Sequence, residues 1–385
     1  MTPIDFTPAA RTSARATAPR HHEVIVVGAG QAGLAAGYFL RRARTDFAIL
    51  DGNAAVGDSW RTRWDSLRLF TPSRYNALPG LSFPGPAYEL PGKDDVARFL
   101  ASYAREFDLP IELDTRVGHL RHDAGRFVVT THAGAVMTAS AVIIATGANQ
   151  RPHVPEFAAR LDPGIVQVHS SAYRRPGQLP PGRVLVVGAG NSGAQIALEL
   201  AGAGREVVLS GPDTGALPRR FLGRDLYDWL WPTLLRPSIE SRIGRRLMAG
   251  RVFSGDPLIG IDAKKIARPG LTRAGRAIGT DRGWPVLEGN GALGDVAAVV
   301  WCTGFRPDYG WIELPAFGLD GYPAHRRGLA RHVPGLAFLG MRFQFRIGSS
   351  LLGGVGEDAE FVVQRILADH ASKAGRIVQA FARGH

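Results

Sequence analysis

One glycine-rich turn occurs twice in this chain, at a fixed offset of 160 residues, and each copy stands between an apolar strand and an alanine-rich helix. The first copy is Glu23-Val-Ile-Val-Val-Gly-Ala-Gly-Gln-Ala-Gly33 and the second is Arg183-Val-Leu-Val-Val-Gly-Ala-Gly-Asn-Ser-Gly193. The register persists beyond the turn. Leu40 maps to Leu200, and Phe47–Leu50 maps to Val207–Ser210. A lone G-x-G-x-x-G carries little information, but strand before and helix after give it meaning in both copies. Gly28 and Gly188 permit the tight turn, and Gly30 and Gly190 let backbone approach a pyrophosphate. Gly33 and Gly193 let helix and strand pack closely. Each helix N-terminus, opening at Gln31 or at Asn191 and Ser192, then offers free N–H groups and the positive dipole end to the phosphates.

A second echo closes each unit. Ala141-Val-Ile-Ile-Ala-Thr-Gly147 and Ala298-Val-Val-Trp-Cys-Thr-Gly304 are apolar strands ending in Thr-Gly. Small residues there (Ala145, Thr146, Gly147, then Thr303, Gly304) suit a chain passing close to a cofactor. The expected fold class is α/β, two Rossmann-like dinucleotide-binding domains with the NAD(P)H domain inserted into the FAD domain. Residues 23–165 and 295–385 are assigned to the FAD domain, 166–294 to the NAD(P)H domain, and 1–22 to a disordered tail.

The strand tips decide which nucleotide goes where. Asp51 ends the second strand of the first unit, where a carboxylate accepts from ribose hydroxyls and repels a 2′-phosphate; this suits FAD. The same offset puts Gly211 at the second tip, after Ser210 and before Arg219-Arg220, an arrangement that favours NADPH and allows NADH. Asp213 leaves a ribose contact open.

Composition narrows the class. The 385 residues carry 45% apolar residues, enough for two domains with a proper core. No apolar run is long enough to span a bilayer. One cysteine, Cys302, forbids an intrachain disulfide and fits a reducing cytoplasm; at a strand end it reads as a small buried apolar residue. The formal charge of +12 is scattered arginine with no basic stripe interleaved with aromatics, which argues against nucleic acid. The histidines show no ligand spacing, so no metal is expected.

Val56-Gly-Asp-Ser-Trp-Arg-Thr-Arg-Trp-Asp-Ser-Leu-Arg-Leu-Phe-Thr-Pro72, with Leu78-Pro-Gly80 after it, resembles the segment behind the FAD motif in class B flavin-dependent monooxygenases. Within that family it is similar to the bacterial cation-efflux-associated flavoproteins and the plant YUCCA enzymes. Val168-His-Ser-Ser-Ala-Tyr173 resembles the family fingerprint, though Tyr173 stands where Baeyer–Villiger members carry Trp, and Gln344–Gly356 resembles the C-terminal flavin-contacting turn. The resemblance implies that NADPH reduces FAD, that O₂ adds at the flavin C4a, and that the hydroperoxide passes one oxygen to a nitrogen or sulfur of a small substrate. It places Thr71 near C4a, His169 and Tyr173 at the inter-domain hinge, and Trp60, Val117, Gln344, Leu351 and Leu352 against the flavin. Trp60 and Trp64 read equally as core residues. Two other functions stay open: a flavin reductase feeding a quinone, a redox protein or O₂, and a redox-sensing regulator of ion transport. The aromatic, basic segment 225–248 suits a channel cap, a homodimer contact or a membrane surface.

Overall fold

The computed structural model describes residues 19–242, 244–245 and 257–382, the last twelve as backbone only. The first unit is built on a nine-stranded sheet. At its centre Arg20–Val27 runs parallel to Phe47–Leu50 on one side and to Val136–Ile144 on the other. Val24 to Val27 are all buried, as a parallel strand covered on both faces requires. Leu336–Phe338 joins parallel to Val136–Ile144, and the hairpin Val117–Asp123/Arg126–Thr131 packs antiparallel onto it. The helices Gln31–Arg42 and Lys93–Glu106 and the long C-terminal helix Gly356–Ala382 belong to this unit.

The second unit is a five-stranded parallel sheet in the order Leu271–Ala274, Val207–Ser210, Arg183–Val187, Val296–Trp301, Val166–His169. Its helix Asn191–Gly202 follows the second glycine turn. The repeat extends to strand register. Val24 faces Phe47 in the first unit, and their counterparts Val184 and Val207 face each other in the second.

Two expected boundaries are corrected. Arg20–His22 are not tail, because they pair with Met137–Ala139 at the start of the central strand; residues 1–18 lie outside the described residues. The strand Val296–Trp301 does not return to the first unit at 295. It is the parallel neighbour of Arg183–Val187, as Val136–Ile144 is of Arg20–Val27, so the inner unit runs on to the Thr303-Gly304 turn.

The chain enters and leaves the inner unit side by side. Arg151–Pro152 on the way in pairs antiparallel with Phe305–Arg306 on the way out. Beside this ribbon, one apolar cluster continues from the first unit through Trp64, Leu67 and Tyr173 to the helix Asn191–Gly202. No described helix is long and apolar enough to cross a membrane.

Candidate functional site

The two glycine turns have the same geometry, set by contact. Gly28 and Gly188 sit at φ of 108° and 106°, a left-handed conformation that suits glycine. A Cβ on Gly33 would lie 1.8 Å from the Gly28 carbonyl oxygen, and one on Gly193 would lie 1.8 Å from that of Gly188. These two glycines are therefore demanded by the fold itself. Gly30 and Gly190 differ: a Cβ there meets nothing within 4 Å. They cap helices that have no side-chain cap, so the first N–H groups of each helix face open space. Both turns thus have the geometry of an anion cradle, a helix N-terminus without a side-chain cap.

The strand tips diverge. Asp51 is buried, and its Oδ2 accepts from the Ala29 N–H at 2.6 Å while Oδ1 accepts from the Asn53 backbone at 2.8 Å and side chain at 2.7 Å. The carboxylate pins the turn and still has acceptor capacity on Oδ2. Gly211, its counterpart, has φ of 147°, and a Cβ there would lie 2.8 Å from Ala189 N. Ser210 is fully buried and donates its hydroxyl to the Gly275 carbonyl at 2.7 Å.

The arginine pair is not at this tip. Arg219 reaches across to the first unit, donating to the Phe70 carbonyl at 2.5 Å and pairing with Asp225 at 2.6 Å; Arg220 donates to the Gly223 carbonyl at 2.9 Å. The cation that does stand by the tip is Arg273, which motif reading misses. It lies opposite Leu209 on the neighbouring strand, donates to the Pro212 carbonyl at 3.2 Å and sits 3.7 Å from Asp213. Only strand pairing brings it there, so no local pattern announces it.

His169 lies against the ribbon between the units. Its Nδ1 accepts from the Ser171 N–H at 3.1 Å, which leaves Nε2 as the donor to the Gly304 carbonyl at 3.0 Å. The ring also meets Phe305 edge-on at 5.0 Å. Burial pushes its pKa down, the Gly304 bond opposes this, and Arg63 and His153 add to the depression. Both nitrogens are engaged, so the geometry is that of a neutral anchor. Tyr173 is fully buried and donates to Glu199 at 2.8 Å on the inner unit's first helix; it braces that unit and does not reach the turns by hydrogen bonding. Around the ribbon Gln150 donates to the Thr146 hydroxyl at 2.7 Å and the Gly147 carbonyl at 2.9 Å, and Thr303 donates to the His153 carbonyl.

The remaining candidates divide. Thr71 is buried and donates to Asn76 Oδ1 at 2.7 Å, while Asn76 Nδ2 donates back to the carbonyls of Thr71 and Pro72. Its hydroxyl therefore braces the 71–76 loop. Asn191 is held by Pro257 and Ile259, whereas Ser192 is exposed. Trp60 is half-buried against the core, Trp64 is fully within it with an unpartnered Nε1, and Val117 and Ala145 are buried. Gln344 is buried with Nε2 lacking an acceptor; Leu351 is half-buried and Leu352 buried, in the turn leading to the C-terminal helix. Gln31 tethers that turn by donating to the Ser350 carbonyl at 3.4 Å. Among the described residues no group of three His, Cys, Asp or Glu side chains gathers as a metal site. Burial pushes the Cys302 thiol up to about 12, so it is an inert strand-end residue. Of the segment 225–248, Ile243 and 246–248 lie outside the described residues. Leu226–Leu230 is helical, and Trp231 packs on Tyr75 at 5.1 Å between ring centres.

Two nested Rossmann-like units, each with a glycine turn at an uncapped helix N-terminus, are the architecture of a two-dinucleotide oxidoreductase. Residues 25–242 match the pyridine nucleotide-disulphide oxidoreductase family, and the chain belongs to it, although its single cysteine cannot form the redox pair of that name. It is 42% identical over 349 residues to an uncharacterised CzcO-like oxidoreductase of Geobacillus kaustophilus, across 90% of this chain and 98% of that one. It is 33% identical to a probable indole-3-pyruvate monooxygenase, YUCCA1 of Arabidopsis thaliana, over 78% of this chain and 79% of that one. The solved flavin-containing monooxygenase from Stenotrophomonas maltophilia superposes with a TM-score of 0.72 at 28% identity, covering 91% of this chain and 99% of that one.

Proposed function

We propose that the chain binds FAD on the first glycine turn and NADPH, or less readily NADH, on the second. It uses them to place one oxygen atom from O₂ on a nitrogen or sulfur of a small organic substrate. The observation carrying this reading is the pair of uncapped helix N-termini with open space above Gly30 and Gly190, in one chain whose relatives include monooxygenases. Bound flavin supplies hydride acceptance and O₂ chemistry.

The chain's own residues position, select and exclude. The helix Gln31–Arg42 takes one pyrophosphate at its N-terminus, with the remaining Asp51 lone pairs on a ribose hydroxyl. The helix Asn191–Gly202 takes the other, with Arg273 in place of an acid beside the adenosine ribose. Gln344 offers a buried amide donor, and Leu351 and Leu352 an apolar wall. His169 holds the ribbon closed, keeping water from the reacting centre. The test mixes purified protein with NADPH, O₂ and a thioether and measures sulfoxide by mass spectrometry. Sulfoxide formed in step with NADPH use supports the reading; NADPH use with only peroxide, or with quinone reduction, replaces it by a reductase.

A further inference from the structure

Arg220-Phe-Leu-Gly-Arg224 stands exposed at the end of a short hairpin of the inner unit. Arg220 pairs antiparallel with Asp225 and Phe221 with Arg224, which leaves Leu222 and Gly223 as a two-residue turn. φ is 49° at Leu222 and 77° at Gly223, positive at both central positions as a type I′ turn requires. Asparagine, aspartate or glycine suits the first of these, because a left-handed backbone crowds a larger side chain. Here a leucine takes that place and is 74% exposed, with Phe221 beside it 51% exposed. Neither the turn's geometry nor internal packing calls for this choice.

The base of the hairpin is firmly held. Arg219 pairs with Asp225 at 2.6 Å, and the Leu226 N–H returns to the Arg219 carbonyl at 2.9 Å. Trp229 donates its indole N–H to the Phe221 carbonyl at 3.1 Å and meets the Phe221 ring edge-on at 6.4 Å. Trp229 is itself partly exposed, so the three apolar side chains form one patch on a braced tip.

Charge frames this patch. Register puts Arg220 and Arg224 on opposite faces of the ribbon, one on each side of the tip. Among the described residues neither is ion-paired: Arg220 donates to the Gly223 carbonyl at 2.9 Å, and Arg224 lies over the Trp229 ring at 5.9 Å. An apolar point with an indole at its side and a cation on either flank has the chemistry of an interfacial anchor. Its apolar side chains enter the acyl boundary, the indole stays at headgroup depth, and the guanidiniums meet lipid phosphates. Three side chains on a protruding tip offer too little area for a stable protein interface. A second copy is also opposed by charge, since each chain carries +12.

We propose that the 220–224 hairpin is a peripheral membrane anchor that inserts Phe221 and Leu222 into a bilayer bearing anionic headgroups. The hairpin also borders a cavity of about 880 Å³ lined from the first unit by Tyr75, Tyr88 and Leu90, so docking brings that cavity next to the headgroups. This goes beyond the oxygenase reading and does not depend on it.

The test is flotation of the purified protein with vesicles of mixed phosphatidylglycerol and phosphatidylcholine, and with vesicles of phosphatidylcholine alone. Wild type is expected to float with the mixed vesicles only. R220Q/R224Q should weaken that binding about tenfold or more, at about fivefold for each arginine near an anionic surface. L222N suits the left-handed turn, so its melting temperature should equal or exceed that of wild type while binding falls about tenfold. Flotation with neither vesicle, equal flotation with both, or unchanged flotation in L222N would overturn the proposal; the last would mean that net charge alone holds the protein. So would a wild-type dimer in solution that L222N converts to monomer, because the patch would then belong to a second copy.

Discussion

Gly211 occupies in the second unit the position that Asp51 holds in the first, and each faces the N–H of the residue after the first glycine of its turn. Asp51 accepts from Ala29 at 2.6 Å, whereas Gly211 lies so near Ala189 N that a Cβ would come within 2.8 Å of it. One turn is held by a carboxylate and the other has none at that position, so the two strand tips differ in charge.

Gly30→Val and Gly33→Ala should separate ligand binding from folding. Valine at 30 enters space that the chain itself leaves open, so the protein should fold with an unchanged apo melting temperature yet purify colourless. Alanine at 33 would meet the Gly28 carbonyl, costing about 3 kcal/mol and lowering the apo melting temperature by several degrees. Flavin absorbance and calorimetry read the two; full flavin retention in Gly30→Val removes the first turn as its site.

Arg273→Ala should raise the KM for NADPH roughly tenfold to a hundredfold and leave that for NADH unchanged, since only the former carries the phosphate. Arg219→Ala should instead lower stability, because that side chain ties Phe70 to Asp225 across the units. Steady-state kinetics with both cofactors decide; an equal change for the two places the phosphate elsewhere.

His169→Ala should still bind FAD and consume NADPH while releasing most reducing equivalents as hydrogen peroxide, because loosening the Gly304 contact admits water. Peroxide yield per NADPH, with a thioether present, compares the variant with wild type. Equal yields reduce His169 to a purely structural residue.

Acid should weaken the fold partly through the same side chain. Burial holds the folded-state pKa of His169 below its ordinary 6.5, so the unfolded chain takes up the proton first. The stabilisation is complete above about 6.5 and is lost as pH falls from there through the folded value. His153 and His325 shift the same way. His169→Gln, which keeps a donor for Gly304, should flatten the fall in melting temperature between pH 7 and 5. An unchanged slope would mean that His169 titrates normally.

Much of this was legible because it is local. The glycine turns, their strands and helices, and Asp51 are fixed within thirty or so residues, and register carried the repeat to Val24–Phe47 and Val184–Val207. What was misread depends on pairing across distance. The strand Val296–Trp301 resembles Val136–Ile144 because it performs the same job in a different sheet, and sequence likeness does not say which. Arg219 and Arg220 stand in the right order, but their guanidiniums bond Phe70, Asp225 and Gly223, while Arg273 reaches the strand tip through pairing of its strand with Val207–Ser210. Thr71 and Tyr173 are polar residues in the expected segments, yet their hydroxyls are used by Asn76 and Glu199.

The antiparallel ribbon of Arg151–Pro152 and Phe305–Arg306 also bears on the order in which the molecule assembles. In the outer sheet Phe338 must find Ile144, roughly 190 residues away along the chain. Once the ribbon has formed, the path between them shortens to roughly 40 residues, lowering the loop-closure cost by about 1.4 kcal/mol. The inner unit, whose widest strand pair (Val166 with Ala298) spans less chain than Ile144 with Phe338, is therefore expected to form before the outer sheet closes. The host sheet would then close around it as though the insertion were a short loop.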